Sequence, residues 1–380
     1  MNNVKLNDLS KCYSCSACYS ICPKSAITMS LNGHGFYKPV IDENKCIDCG
    51  LCVKTCIIGR GTEFRQPASL CYGVKHRTES VVQNSTSGGA FALFAESIVA
   101  DGGTIIACAM VDNRAVHIES QDYSVFHGSK YVQSDLQNAF SLVVANLESK
   151  RKVLFVGTPC QCAGLRSFLK IKKIDTSELF VVDFVCHGTP SPGIFGDYIR
   201  YIEKKYKVKV AEHKFRTKHN GWKAHLEENI YVSGKSDYES YDSQVYKGIF
   251  YSALAMNNSC YECEYTSVNR VSDITIADFW GVKESHPDFW NNEGVSFVML
   301  NSDKGKALFD TVNSDCEYIP VNVEDTKQPH LYRPISRPDK TDQFWLEYTK
   351  KGFKYVIYKY CHAGPIRRAI SNLYRLIMHR

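Results

Sequence analysis

The chain has 380 residues, 44% of them hydrophobic, which is enough for more than one domain and a well-buried core. Its net charge of +6 is small and diffuse, which argues against a nucleic-acid partner, and no run of about 18 apolar residues is present to span a bilayer. The seventeen cysteines bunch in tight motifs, and the polar start "MNNVKLNDLSK" lacks the basic-then-apolar order of a signal peptide. The expectation is a cytoplasmic protein whose reduced thiols bind metal.

The first element is "CYSCSACYSICP", in which Cys12, Cys15, Cys18 and Cys22 stand at Cys-x2-Cys-x2-Cys-x3-Cys before Pro23. Cys46, Cys49, Cys52 and Cys56 repeat that spacing, although Ile57 replaces the proline. This is the bacterial two-cluster ferredoxin pattern, where three close thiolates wrap one cubane and the fourth reaches the other. The crossover assigns Cys12, Cys15, Cys18 and Cys56 to one 4Fe-4S cluster, and Cys46, Cys49, Cys52 and Cys22 to the second. Zinc is the alternative, but its ligands come in pairs separated by longer loops. Between the repeats, 31–42 reads as a turn with short flanking strands. A two-cluster ferredoxin domain is therefore expected over 1–66.

Past the Gly/Pro-containing stretch at 59–69, apolar strands alternate with amphipathic helices. Strands are predicted at "LCYGVK", "GTIIACAMV", "KVLFVG" and "LFVVDFV", and helices over 87–99, 135–149 and 161–169. The later segments "HLEENIYVSG" and "RVSDITIADFW" alternate as strands do, so a mixed sheet is expected rather than a parallel one. The fold class is α/β and α+β: the ferredoxin domain, then an α/β domain over 67–345.

Three stretches of that body carry chemistry. In "NSTSGGAFALF", Ser87, Gly88 and Gly89 lead into a helix whose free N–H groups suit a phosphate, while Ser87 as a plain N-cap explains the residues equally well. In "FVGTPCQCAGL", a strand ends in a turn that presents Cys160 beyond its carboxyl end, where ligands of open α/β sheets gather. "DFVCHGTPSP" repeats the arrangement with Cys186, and "CYEC" adds Cys260 and Cys263. These four thiols suit zinc, a third 4Fe-4S cluster, or burial as small hydrophobes.

Together with "GSKYVQS", "GTPCQ", "CHGTPS" and "DITIADFWG", these segments resemble the beta subunits of coenzyme F-420-reducing hydrogenases and dehydrogenases, from about residue 12 to 280. The resemblance implies an FAD in the α/β body and a third 4Fe-4S cluster held by Cys160, Cys186, Cys260 and Cys263. It makes Ser87, Gly88 and Gly89 the turn facing the pyrophosphate, with Lys130, Thr158 and Asp278 in the cofactor site and Asp273 shaping it. Cys162 is left out of the ligand set, although it could exchange roles with Cys160. His187 is given no catalytic role, and the catalytic residues stay unassigned.

The function implied is an iron-sulfur flavoprotein oxidoreductase. Electrons pass from a partner, a ferredoxin or another oxidoreductase subunit, through the clusters to FAD and on as hydride to an organic acceptor with a deazaflavin-like or other ring. The rival is an electron-transfer adaptor in which only the eight N-terminal cysteines hold metal. Over 346–380 the chain is basic, and "PIRRAISNLYRLIMHR" sets Ile366, Ile370, Leu373 and Ile377 at helical spacing. Such a helix docks on its own body or on a partner, with contact to an anionic membrane as the alternative. The sequence does not set the oligomeric state.

Overall fold

The computed structural model describes residues 8–67, 70–361 and 363–364. The first repeat gives helix α1 (Ala17–Ile21), and a hairpin of β1 (Ile27–Leu31) and β2 (Tyr37–Ile41) leads to α2 (Leu51–Thr55) in the second repeat. β3 (Leu70–His76), α3 (Glu79–Asn84), α4 (Ala90–Ala100), β4 (Thr104–Val111), β5 (Arg114–Ser120) and α5 (Ala139–Glu148) open the body. β6 (Val153–Gly157), α6 (Pro159–Lys172), β7 (Leu179–Phe184) and α7 (Pro192–Tyr206) follow. A small antiparallel sheet of β8 (Val210–Thr217), β9 (Leu226–Tyr231) and β10 (Ser236–Asp237) precedes α8 (Val245–Ser252). Last come β11 (Ile274–Asp278), α9 (Val282–Ser285), β12 (Ser296–Leu300), α10 (Asp303–Val312), β13 (Cys316–Val321), α11 (Thr341–Lys351) and α12 (Phe353–Tyr360).

Eight strands form one mixed sheet in the order β13-β3-β12-β11-β7-β6-β4-β5. β4, β6, β7 and β11 run parallel, and the pairs outside them are antiparallel. Helices cover both faces, with α4 and α10 on one and α5 and α6 on the other. That is why β6 and β12 are buried at every residue and read as unbroken apolar runs. Each Val, Leu or Phe so buried contributes roughly 1.5–3 kcal/mol.

The parallel strands β6, β7 and β11 end on one edge of the sheet, delivering Thr158, Cys186 and Asp278 to the same place. The segment between β7 and β11 returns to that edge through α8 and the Cys260 turn. α1 and α2 of the ferredoxin domain pack on α6, so the first eight cysteines lie against the body.

The expected strands are all present, and both N-terminal repeats end in helices. The helix expected from 87 begins at Ala90, because Gly89 takes a left-handed turn at φ +90°. α3 and β5 were not anticipated. β5 is the antiparallel edge strand paired with β4, and its sequence "RAVHIES" alternates only weakly. α11 runs across the expected boundary between 345 and 346, and α12 packs on α7 and α8. The basic helix predicted beyond residue 365 lies outside the described residues. Among the described residues no helix is long and apolar enough to cross a membrane.

Candidate redox site

The two N-terminal repeats fold alike. Ser14 and Ser16 are left-handed, at φ 58° and 60°, and so are Asp48 and Gly50 at the matching positions, φ 50° and 70°. Left-handed residues other than glycine cost of order 1–3 kcal/mol each and persist where the surroundings demand them. Here they give the two cysteine loops the same backbone turn between successive thiols.

The crossover between repeats is present in the packing. Burial pushes the Cys18 thiol well above its usual value, and its neighbours Cys15, Cys12 and Cys56 push it further. Cys56, from the second repeat, thus stands with the first three. Cys22 joins Cys46, Cys49 and Cys52 around a common small cavity, completed by Ile27, Ile41 and Ile47. Backbone N–H groups already point at sulfur in both sets: Ser14 N donates to Cys12 Sγ at 3.3 Å and Ala26 N to Cys22 Sγ at 3.3 Å. Such donors suit a thiolate ligand. Cys49 is exposed, so the second set faces solvent, while the first leans on the body.

Cys160, Cys186, Cys260 and Cys263 line one cavity with Tyr13, Tyr265 and Arg270. Gly188 N donates to Cys186 Sγ at 3.4 Å, Thr189 N to Cys260 Sγ at 3.4 Å, and the Thr158 hydroxyl lies 3.2 Å from Cys160 Sγ. Burial pushes Cys260 up to about 11 and Cys160 and Cys186 well above the usual thiol value. Without metal these thiols stay protonated, and iron binding must release their protons. All-thiol donors with N–H groups aimed at sulfur fit an iron-sulfur cluster. Cys162 faces the other way: its thiol donates to the carbonyls of Gly157 and Val182, both at 3.7 Å, within the sheet. Omitting it from the ligand set agrees with the packing.

Two tyrosines, not singled out in the sequence, stand between the first and third sets. Tyr13 and Tyr265 meet edge to face at 5.2 Å between centroids. Tyr265 stands near enough to both Cys15 and Cys160 for a thiolate at either to raise the pKa of its hydroxyl, which donates to Ile57 O at 2.8 Å. Gly164 of α6 brings the layers closer still, since a Cβ there would meet Cys15 Cβ and Sγ at 2.9 Å. The only signal for the tyrosines is their place within and beside cysteine motifs.

Beyond the third set, a cavity of about 300 Å³ is lined by Ser87, Gly89, Lys130, Thr158 and Asp278, and Cys186, His187, Gly188 and Thr189 form its wall toward the cysteines. Gly88 does not line it. A Cβ on Gly88 would lie 2.3 Å from Val74 O and 2.6 Å from Ser296 N, so this glycine packs the loop against the sheet. The Ser87 hydroxyl donates to Val295 O at 2.7 Å and does not cap the helix; of the α4 N–H groups, that of Ala90 donates to Ser296 Oγ at 3.4 Å. His127, also on the wall, has a buried Nε2 with no hydrogen-bond partner. A glycine-led helix start and an unpaired ring nitrogen in one concave site fit an anionic, hydrogen-bonding cofactor.

Lys130 is half-buried, donates to the carbonyls of Phe126 at 2.6 Å and His127 at 2.9 Å, and is held by desolvation down at about 8. Asp278 is already engaged: Arg216 binds one carboxylate oxygen at 2.6 Å and Trp222 Nε1 the other at 2.8 Å. It fixes buried Trp222, on which the cavity-lining Trp280 stacks at 4.6 Å between centroids. Asp273 is away from the cavity, accepting from Val181 N and the Ser302 hydroxyl, and so braces β7 against α10. Thr158 caps α6 through a reciprocal pair with Gln161, which holds Cys160 in place.

Comparison with known proteins agrees with this layout. Residues 11–59 match the 4Fe-4S dicluster domain, and residues 150–325 match the C terminus of the coenzyme F420 hydrogenase/dehydrogenase beta subunit. The second match contains Cys160, Cys186, Cys260 and Cys263. No curated protein matches the chain. Among solved structures, a chain of the F420-reducing [NiFe] hydrogenase complex from Methanosarcina barkeri, studied by xenon derivatization, is 12% identical. The similarity covers 78% of this chain and 92% of that one, with a TM-score of 0.46. On its two domain matches, this is an iron-sulfur electron-transfer protein with a 4Fe-4S dicluster domain, related over residues 150–325 to the coenzyme F420 hydrogenase/dehydrogenase beta subunit.

Proposed function

We propose that the chain is an iron-sulfur flavoprotein oxidoreductase with three 4Fe-4S clusters and one FAD, taking electrons from a ferredoxin-like protein or a partner subunit and passing them to an organic acceptor. The observation that carries this reading is the unbroken file of sites. Exposed Cys49 marks the second set at the solvent side, the Cys15 loop of the first set abuts α6, Tyr13 and Tyr265 lead to Cys160, and Cys186 to Thr189 wall both the third thiol set and the 300 Å³ cavity.

FAD bound there would accept electrons singly and deliver them in pairs as hydride. Gly89 lets the phosphates approach the α4 start, and the His127 Nε2 is placed to hydrogen-bond the cofactor. Lys130 adds a positive charge to the wall, and Thr158 and Gly188 hold the strand-end turns that separate flavin from cluster. Trp280, stacked on buried Trp222, and His225 line the cavity with flat rings, which favours a flat, ring-shaped acceptor.

Purification without oxygen, followed by denaturation, tests the reading. It expects near one flavin and about twelve irons per chain, and about eight irons when Cys186 is replaced by Ser. About eight irons in the parent, unchanged in C186S, with no flavin, would leave the adaptor as the better description.

A further inference from the structure

Lys38 stands on β2, in the hairpin between the two cysteine repeats, yet its side chain turns inward and is 9% exposed. A buried ammonium needs partners, and Nζ has two, donating to Cys12 O at 2.7 Å and to Asn257 Oδ1 at 3.0 Å. Asn257 is buried as well and lines the cavity of the third thiol set. Its side-chain amide donates to Cys12 O at 3.1 Å, and its backbone carbonyl accepts from Cys260 N at 2.8 Å. The same ammonium thus reaches a ligand loop of the first set directly and the Cys260 turn through one residue, Asn257, held by its side chain on one side and its backbone on the other. Its charge acts on both Cys12 and Cys260.

Resting on the three-cluster reading, we infer that Lys38 is a shared electrostatic control, a buried cation that raises the reduction potentials of the first and third clusters together and leaves the driving force between them nearly unchanged. A 4Fe-4S cluster with four thiolates is anionic and gains one negative charge on reduction. A fixed cation beside it therefore favours the reduced form, and burial leaves that field poorly screened. One cation placed between two clusters moves both potentials the same way, so the driving force between them changes little. The second set, out at the exposed Cys49, lies beyond this arrangement.

The test is an EPR-monitored redox titration of the full chain with its iron content measured, comparing the parent with K38Q, K38R and N257D. K38Q removes the charge and N257D sets a carboxylate against it without changing shape; C186S, lacking the third cluster, assigns the signals. In K38Q and N257D, two of the three midpoints should fall, each by about tenfold in the one-electron equilibrium, or about 59 mV, while the solvent-side cluster stays put and K38R stays near the parent. If K38Q loses iron, N257D carries the same prediction. Twelve irons with unmoved potentials, or a shift in one cluster alone, would overturn the inference by itself. Eight irons in the parent would overturn the three-cluster reading and the inference with it.

Discussion

Gly164 offers the sharpest test of how the ferredoxin domain seats on the body. It lies inside α6, where alanine is normally favoured by about 1 kcal/mol. A Cβ there, however, would stand 2.9 Å from both Cys15 Cβ and Sγ, and a cluster ligand has nowhere to retreat. Overpacking of that kind costs about 1–3 kcal/mol. Gly196 in α7 supplies the control, since its Cβ would meet only the flexible tip of Arg200 at 3.3 Å. G196A should gain about 1 kcal/mol, while in G164A the clash offsets or exceeds that gain, so the two variants separate by about 1–3 kcal/mol. For a chain of this length the unfolding entropy is about 0.8 kcal/mol per degree, so the melting midpoints of the cluster-loaded variants should differ by about 1–4 °C at one scan rate. G164A should also lose iron to a chelator faster than G196A. Equal midpoints and equal iron release would refute the argument that α6 presses on the Cys15 loop.

Other perturbations follow from the same geometry. Gly88→Ala drives a methyl into the Val74 carbonyl and the Ser296 N–H, both backbone, so it should lower the melting midpoint by more than G164A does. Lys130→Met should weaken flavin retention at least tenfold, measured by fluorescence of the filtrate after dilution, because it removes a partly desolvated cation from the cavity wall. Burial holds His117 and His213 down at about 4. Between about 6.5 and 4 the unfolded imidazoles take protons that the folded ones refuse, so their stability is present above about 6.5 and is lost as pH falls toward 4, by roughly 3 kcal/mol each. A denaturant series across that window should show the midpoint falling, and H213Q should flatten the fall; a midpoint independent of pH would contradict the burial argument.

The chain itself determined the metal chemistry of its first sixty residues, because a cubane needs thiolates at fixed short spacings and local backbone geometry delivers three of every four. Strand-end positions for Cys160 and Cys186 were legible for a similar reason, since an apolar run closed by a Gly-containing turn marks where a strand stops. What tertiary structure decided is everything that depends on distant segments meeting. Cys160 and Cys162 differ by two residues in a helix and look alike in sequence, yet one turns to the cavity and the other into the sheet. Gly88 and Gly89 are neighbours, and only packing separates the one that fills a backbone contact from the one that opens the helix start. Lys38 reads as an ordinary hairpin lysine, and its meeting with Asn257, 219 positions away, arises only because the ferredoxin domain seats on α6. Ligand spacing is a short-range property written along the chain, whereas the field at a cluster is set by charges that folding gathers from far apart.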